Sequence, residues 1–310
     1  SRDIDLFGRK SFFQYLNRTA LQEGKARLAR ILLANKTDHI QRKQEAVKEL
    51  ASKADWRQNY TATATLVKTE TDSQTILHWI RNYKSFVPKY MKWFPAVFSV
   101  LSIGVFLAYY FGQIGIFQVL LWFLIGVMIT GYFLKKINNL SSDVSRAQDT
   151  FQQYHQLLAF IENEEFESEL MKKLKDSIKS ESKKASVILQ EFSRAIDALD
   201  QRNNFLFGII ANGFFLWDLR QSYRLEKWIE HHHEAVEHWF EAVERTDAYN
   251  SLGNFAFNHT HYHFPEILSG KQGIKAKALG HPLLDPKKRV TNDFEIDGEQ
   301  FFIITGANMA

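Results

Sequence analysis

Cysteine is missing from all 310 residues, which excludes disulfides and thiolate metal sites and is compatible with the cytosol. Proline is scarce, with five in the chain and none from residue 96 to residue 264. Long uninterrupted helices are therefore allowed through the whole middle, since no residue there lacks a backbone donor or forces a kink. Charge is missing from one stretch: residues 93–134 contain no Asp, Glu, Lys or Arg over 42 positions, against the ~20 that one membrane-spanning helix requires. Two spans fit, 93–112 and 114–134, joined by a minimal turn at Gly112-Gln113-Ile114-Gly115.

Arg81, Lys84, Lys89 and Lys92 precede this stretch and Lys135 and Lys136 follow it. The positive-inside tendency then predicts a multi-pass hairpin in the cell membrane with both ends cytoplasmic, and Trp93, Tyr109, Tyr110 and Tyr132 fall where interfacial aromatics belong. The alternative is a buried hairpin in a soluble, cytoplasmic bundle, which would have to cover both helices on every side because neither has a polar face.

What is present elsewhere is mostly amphipathic helix. The hydrophobic fraction of 45% and the length suit about two domains with a sizeable core. The net charge is +4, but residues 1–92 hold 18 Lys and Arg against 9 Asp and Glu, so the remainder is net acidic. That asymmetry suits contact with phosphates of nucleic acid or of an anionic membrane, or else is a solvated basic face.

Phe12, Phe13, Leu16 and Ala20, then Leu28, Ile31 and Leu32, then Ala46, Val47 and Leu50 recur at helical spacing. Thr37-Asp38 is placed to cap the helix over 40–50. The Thr- and Ala-rich run 60–74 predicts a connector or an interrupted helix. Further on, Asn163 with Glu164 and Glu165 reads as a helix start. Phe166, Leu170, Leu174 and Ile178, then Ile188, Phe192, Ile196 and Leu199, then Trp228, Ala235, Trp239 and Val243 each predict one buried helix face. The apolar run 205–217 is too short to span and predicts a buried core helix.

From residue 262 the period becomes strand-like. Phe294-Glu295-Ile296 and 301–304 flank Asp297-Gly298, a tight-turn pair. The run Phe301-Phe302-Ile303-Ile304 enters Thr305-Gly306-Ala307-Asn308, as a buried strand enters a phosphate-binding loop. The Lys and hydroxyl of a full phosphate loop would follow position 310. The chain also begins without Met, so it reads as a fragment of a longer protein without a secretory signal in this part.

Three segments sharpen this reading: Gly280-His281-Pro282-Leu283-Leu284, Val290-Thr291-Asn292-Asp293-Phe294-Glu295-Ile296, and Phe302 to Ala310. Their order and spacing resemble the opening of the ATPase domain in the MutS family of DNA mismatch-repair proteins. Asp5-Leu6-Phe7, Phe13-Gln14-Tyr15-Leu16-Asn17-Arg18-Thr19 and Glu23-Gly24-Lys25-Ala26-Arg27-Leu28 are similar to the start of that family's core domain, and residues 40–50 to its next helix. Ala248-Tyr249-Asn250-Ser251-Leu252 and Phe264-Pro265-Glu266-Ile267 are similar to the handover from core to ATPase. The likeness covers the two ends and is loose in the middle.

The resemblance implies a mainly α fold, a helical MutS-like core and lever bundle ending in the first strands of a truncated α/β P-loop ATPase domain. The expected division is 1–92 helical core, 93–136 transmembrane hairpin, 137–262 lever and core helices, and 263–310 ATPase strands. It further implies that Gly306, Ala307, Asn308 and Met309 begin the phosphate loop, with Val290 and Asn292 near the adenine. ATP and Mg²⁺ are then cofactors of the full-length parent, none is expected in this fragment, and the fragment should not hydrolyse ATP. No strand cluster for a DNA-clamping domain is found in the middle, and the family's mismatch-reading domain is not among these 310 residues. The expected function is a membrane-anchored mismatch-repair or DNA-binding ATPase whose partners are DNA, the lipid bilayer and a second copy of itself. The alternative is a membrane-tethered scaffold or signalling ATPase that has lost mismatch recognition.

The histidines give no competing site. His231, His232 and His233 with Glu234, Glu237 and His238 lack the H-E-x-x-H arrangement, since Glu stands at 237. His259, His261 and His263 alternate in the segment similar to the family's linker. No catalytic or metal-binding residue is assigned.

Overall fold

A computed structural model describes residues 5–34, 38–66, 71–179, 183–268 and 273–298. Of these residues 72% are helical and 5% are strand, so the protein is mainly α. The helices are α1 (Phe12–Leu16), α2 (Gln22–Leu33), α3 (Ile40–Ser52), α4 (Ala54–Leu66), α5 (Ser73–Asn82), α6 (Phe94–Tyr110), α7 (Ile116–Asn163), α8 (Glu169–Ser177), α9 (Ala185–Asp200), α10 (Phe205–Phe215) and α11 (Trp217–Asn258).

Two of them organise the rest. The absence of proline lets α7 run for 48 residues and α11 for 42. Along the second part of α7, Ile137, Leu140, Val144, Ala147, Phe151, Tyr154, Leu158 and Ile161 return at steps of three and four and are all buried. This is the apolar stripe of a helix facing a core. Between α7, α9 and α11 the core is aromatic. Phe151 lies 4.7 Å from Phe192 and 5.8 Å from both Trp228 and Phe240, ring to ring. Trp228 satisfies its indole N–H by donating to the Ile188 carbonyl at 2.9 Å.

From 242 to 251 every residue of α11 except Arg245 is buried, so this helix is surrounded rather than amphipathic. Several of its buried polar groups are matched by distant partners, although the Asn250 amide makes no hydrogen bond among the described residues. Asp247 accepts from the Ala20 and Leu21 amides at 3.1 and 2.9 Å. It thereby caps α2, whose own N-cap residue Leu21 offers no side-chain acceptor. Gly24 is required beside it, because a Cβ there would fall 2.0 Å from Asp247 Oδ2.

The small sheet is β1 (Gly273–Leu279) paired antiparallel with β2 (Asn292–Asp297), in register Gly273 to Asp297, with a bulge between Ala276 and Leu279. The partner expected for β2, 301–304, lies outside the described residues.

Several local expectations are corrected. Of the connector or interrupted helix expected over 60–74, the interrupted helix is what the structure describes: α4 continues to Leu66 and α5 starts at Ser73. The 60–66 end is held by the Tyr60 hydroxyl donating to the Val243 carbonyl and by Gln153 donating to the Ala64 carbonyl, so only a connector from residue 60 is ruled out. The N-cap of α3 is His39 in a left-handed conformation with no side-chain bond; Thr37 lies outside the described residues. Asn163 ends α7 rather than starting a helix, because the backbone turns extended at Glu164 and the next helix begins after Ser168. Finally, α10 is not a buried core helix: Phe205 is 74% exposed, and Leu206, Ile209 and Ile210 are exposed with it.

Candidate functional site

The region that stands out is the apolar projection made by α6, the first third of α7 and α10. The Phe98 ring stacks on Trp122 at 4.7 Å, and the Trp122 indole N–H donates to Ser102 Oγ at 2.8 Å. The two helices therefore run back along each other from the turn at 111–115. That turn is closed by Gln118 Oε1 accepting from the Gly115 amide at 3.1 Å. The one Ser102 hydroxyl proton has the Phe98 and Phe214 carbonyls within reach, at 2.9 and 2.7 Å, so the hydroxyl is not left open on this contact.

Glycines bring α10 in. A Cβ at Gly126 would lie 2.1 Å from the Gly213 carbonyl oxygen, and one at Gly213 would lie 2.1 Å from the Phe123 ring. Such close backbone approach is how small residues join helices that share no hydrophobic driving force. A sharp turn at Leu216, in the left-handed region at φ 49°, sends the chain into α11. Arg202 before α10 pairs with Asp218 after it at 3.2 Å, and Asp218 is buried. Burial pushes the Asp218 carboxyl up and Arg202 opposes that shift.

Outside these contacts the projection is bare. Of the 37 large hydrophobic residues exposed among the described residues, 19 lie in 93–134 and six more on α10. Only 17% of the most apolar window of α7 is buried. Each such side chain removed from water is worth about 1.5–3 kcal/mol, so leaving this set hydrated forfeits tens of kcal/mol against a typical net stability of about 5–15. By length and composition α7 is able to cross a membrane, while α6 at 17 residues is slightly shorter. Exposed aromatics sit at both ends: Tyr90, Trp93 and Tyr132 near the body, and Tyr109, Tyr110 and Phe111 at the tip.

Body and projection are tied by Glu226 of α11. Its buried carboxylate accepts from the Tyr83 hydroxyl at 2.9 Å and from the Phe86 and Val87 amides at 2.8 and 3.0 Å. Burial raises the Glu226 pKa, and these donors oppose the shift. Phe86 also lies under Lys136 and beside Phe133, so the segment leading into α6 is fixed to α7 where it leaves the projection. Sequence reasoning missed both Glu226 and the glycine contact, since a lone Glu on a charged helix and two glycines in apolar runs give no signal until the partners are known.

Of the residues expected at the nucleotide, Gly306, Ala307, Asn308 and Met309 lie outside the described residues. Val290 is 78% exposed in the segment before β2, and Asn292 begins β2 opposite Leu279, also exposed.

The histidine clusters are occupied structurally. His232 packs between Trp228 and Trp239, and burial lowers its pKa. Glu237 pairs with Arg81. His259 stacks on Phe255 at 4.2 Å and is hydrogen-bonded to Tyr15 at 2.7 Å. Among the described residues no group of three or more His, Asp and Glu could hold a metal. In comparisons with known families, curated proteins and solved structures, nothing matches the chain.

Proposed function

We propose that this chain is the core and lever part of a membrane-anchored MutS-like ATPase, held in the bilayer by the α6–α7 hairpin. The observation that carries the anchoring is the continuity of α7: one helix runs from an uncovered apolar surface into the aromatic core without a break. A helix is stiff at this length, so movement of the body would be felt at the membrane and the reverse. In this reading α7 and α11 are the levers, and ATP with Mg²⁺ binds in the domain that β1 and β2 begin. A second copy completes a dimer, both ends of the hairpin face the cytoplasm, and the basic first third meets DNA or lipid phosphates. The ATP-binding part rests on the sequence resemblance at residues 280–310.

Membrane partition of the intact chain and of a variant lacking 93–134, washed with high salt and then alkali, tests the anchor. Retention of the intact chain with release of the deletion is expected. Solubility of both would end the membrane reading and return the hairpin to a protein interface.

A second reading, a tethered scaffold or signalling ATPase that does not engage DNA, is favoured by one observation. Between α7 and α11 the described residues form helices and a single bridge, Lys179 to Lys184, with no strand-built clamp. DNA titrations at increasing salt separate the two, because phosphate contacts weaken steeply as counterions are added. Absence of binding even at low salt selects the scaffold.

A further inference from the structure

Four cations of the basic first third meet two from farther along the chain. Arg27 and Arg30 of α2, Arg42 and Lys43 of α3, Lys173 of α8 and Arg245 of α11 converge on one cleft of about 580 Å³. Two glutamates brace four of these cations. Glu241 pairs with Arg27 at 3.0 Å and Arg245 at 3.4 Å, and Glu169 pairs with Arg42 at 2.6 Å and Lys173 at 2.8 Å. Asp38 also lines the cleft, and buried Glu244 lies 3.9 Å from Arg27 with its pKa raised by burial. Arg30 and Lys43 have no carboxylate within 4.0 Å among the described residues.

Two further features lie at the residues that line this cleft. The Nε of Arg27 is buried without a hydrogen-bond partner, a donor left open at a cost of about 1–3 kcal/mol. The N-terminus of α3, a helix of 13 residues, reaches the cleft at His39 and carries no side-chain cap, so its first-turn amides add positive potential. Ile31, Leu170, Leu174 and Tyr249 supply an apolar floor.

A concave site of this volume is of small-molecule size. Nucleic acid is instead met by a basic stripe along a face, whereas these cations come from four helices to a single hollow. We propose that the cleft binds a compact polyphosphorylated small molecule, with Arg30 and Lys43 as its unpaired charge partners and the α3 N-terminus as a donor to one phosphate. The Glu-braced cations hold the walls in place, and the anion relieves their mutual repulsion. The site does not depend on the membrane or ATPase reading.

Calorimetric titration of the intact chain with inorganic tripolyphosphate at near-physiological salt tests it. Saturable one-site binding is expected, weakened at least about tenfold in the Arg30→Ala, Lys43→Ala double variant. Both side chains are at least partly exposed, so the variant's melting curve without ligand should match the parent's. A control pair on the same helices but outside the cleft, Lys25→Ala with Lys48→Ala, should leave binding unchanged. No saturable binding, or an equal loss in both pairs, overturns the proposal. So does a duplex oligonucleotide of about 20 base pairs that binds more tightly than tripolyphosphate and is weakened by the same cleft pair, since the face would then read nucleic acid.

Discussion

The two parts of α7 carry the same kind of side chain and meet opposite surroundings. From Ile116 to Leu134 the helix is apolar all round and mostly bare; from Ile137 to Ile161 it is apolar on one stripe, and that stripe is buried. Apolarity all round, which in a soluble protein marks a helix enclosed by others, here marks the part with the fewest neighbours. The helix that is enclosed on all sides is α11 between 242 and 251, and it is rich in polar residues: Glu244, Thr246, Asp247, Asn250 and Ser251 are all buried. Glu244, Thr246, Asp247 and Ser251 each have a hydrogen-bond partner in the body, whereas the projection has apolar surface and few polar groups to satisfy.

The sharpest way to test that contrast is to cut the core at the lower part of α7. Phe151→Ala removes a fully buried ring that touches Phe192, Trp228 and Phe240. A loss of about 3–5 kcal/mol is expected from denaturant unfolding of the body. A loss below about 1 kcal/mol would mean that the three aromatic neighbours do not form one core.

Next in size is Asp247. Alanine there leaves the Ala20 and Leu21 amides without an acceptor, and about 2–4 kcal/mol should be lost. Burial raises its carboxyl from 3.8 to about 7, against the opposing pull of those amides. The folded protein then holds a proton between about pH 4 and 7 that the unfolded chain has released. Stability should therefore fall as pH rises across that window, by an amount on the order of a few kcal/mol. Asp247→Asn keeps the acceptor and should flatten this slope; an unchanged slope would assign it to other buried carboxyls such as Glu226 and Glu244, which burial also raises.

The third effect is confined to the projection. Gly213→Val sets a side chain against Phe123, where even a Cβ falls at 2.1 Å, so α10 must lift from α7 at a cost of about 1–3 kcal/mol. Limited proteolysis should show faster cleavage at the flanks of α10 while the unfolding midpoint of the body stays fixed. Loss of both together would make α10 part of the body's cooperative unit.

Much of the body was legible because its periodicities are strict: the stripes predicted at Phe166 to Ile178, Ile188 to Leu199 and Trp228 to Val243 are largely buried as read. The projection was legible from the missing charge. What could not be read was placement that depends on distant partners. An apolar run of about a dozen residues fits a core or an uncovered surface equally, and for α10 the choice turned on Gly126 and Gly213 meeting across 87 positions of chain. Asp218, Glu226 and Asp247 look like solvated charges on a mixed helix, and their burial is explained only by donors from residues 20–21, 83–87 and 202. The cleft cations are likewise scattered over more than two hundred residues of sequence. Of the expected nucleotide residues, only Val290 and Asn292 fall among those described, and neither has a partner that marks a site.

The smallest expected effect decides most about the projection. Leu124 is 56% exposed on α7, so Leu124→Ala in detergent should change the unfolding free energy by no more than about 0.5 kcal/mol. Leu157→Ala, one face of the same helix buried in the body, should cost about 2–5. In a bilayer the same position behaves differently: Leu124→Arg places a charge near the middle of the span, at about 2.5–3.5 kcal/mol for insertion. Membrane retention should then weaken while the body's stability is untouched. If Leu124→Ala instead costs as much as Leu157→Ala and the protein is dimeric, the bare face is covered by a second copy. The hairpin would then be an interface between chains rather than an anchor in lipid.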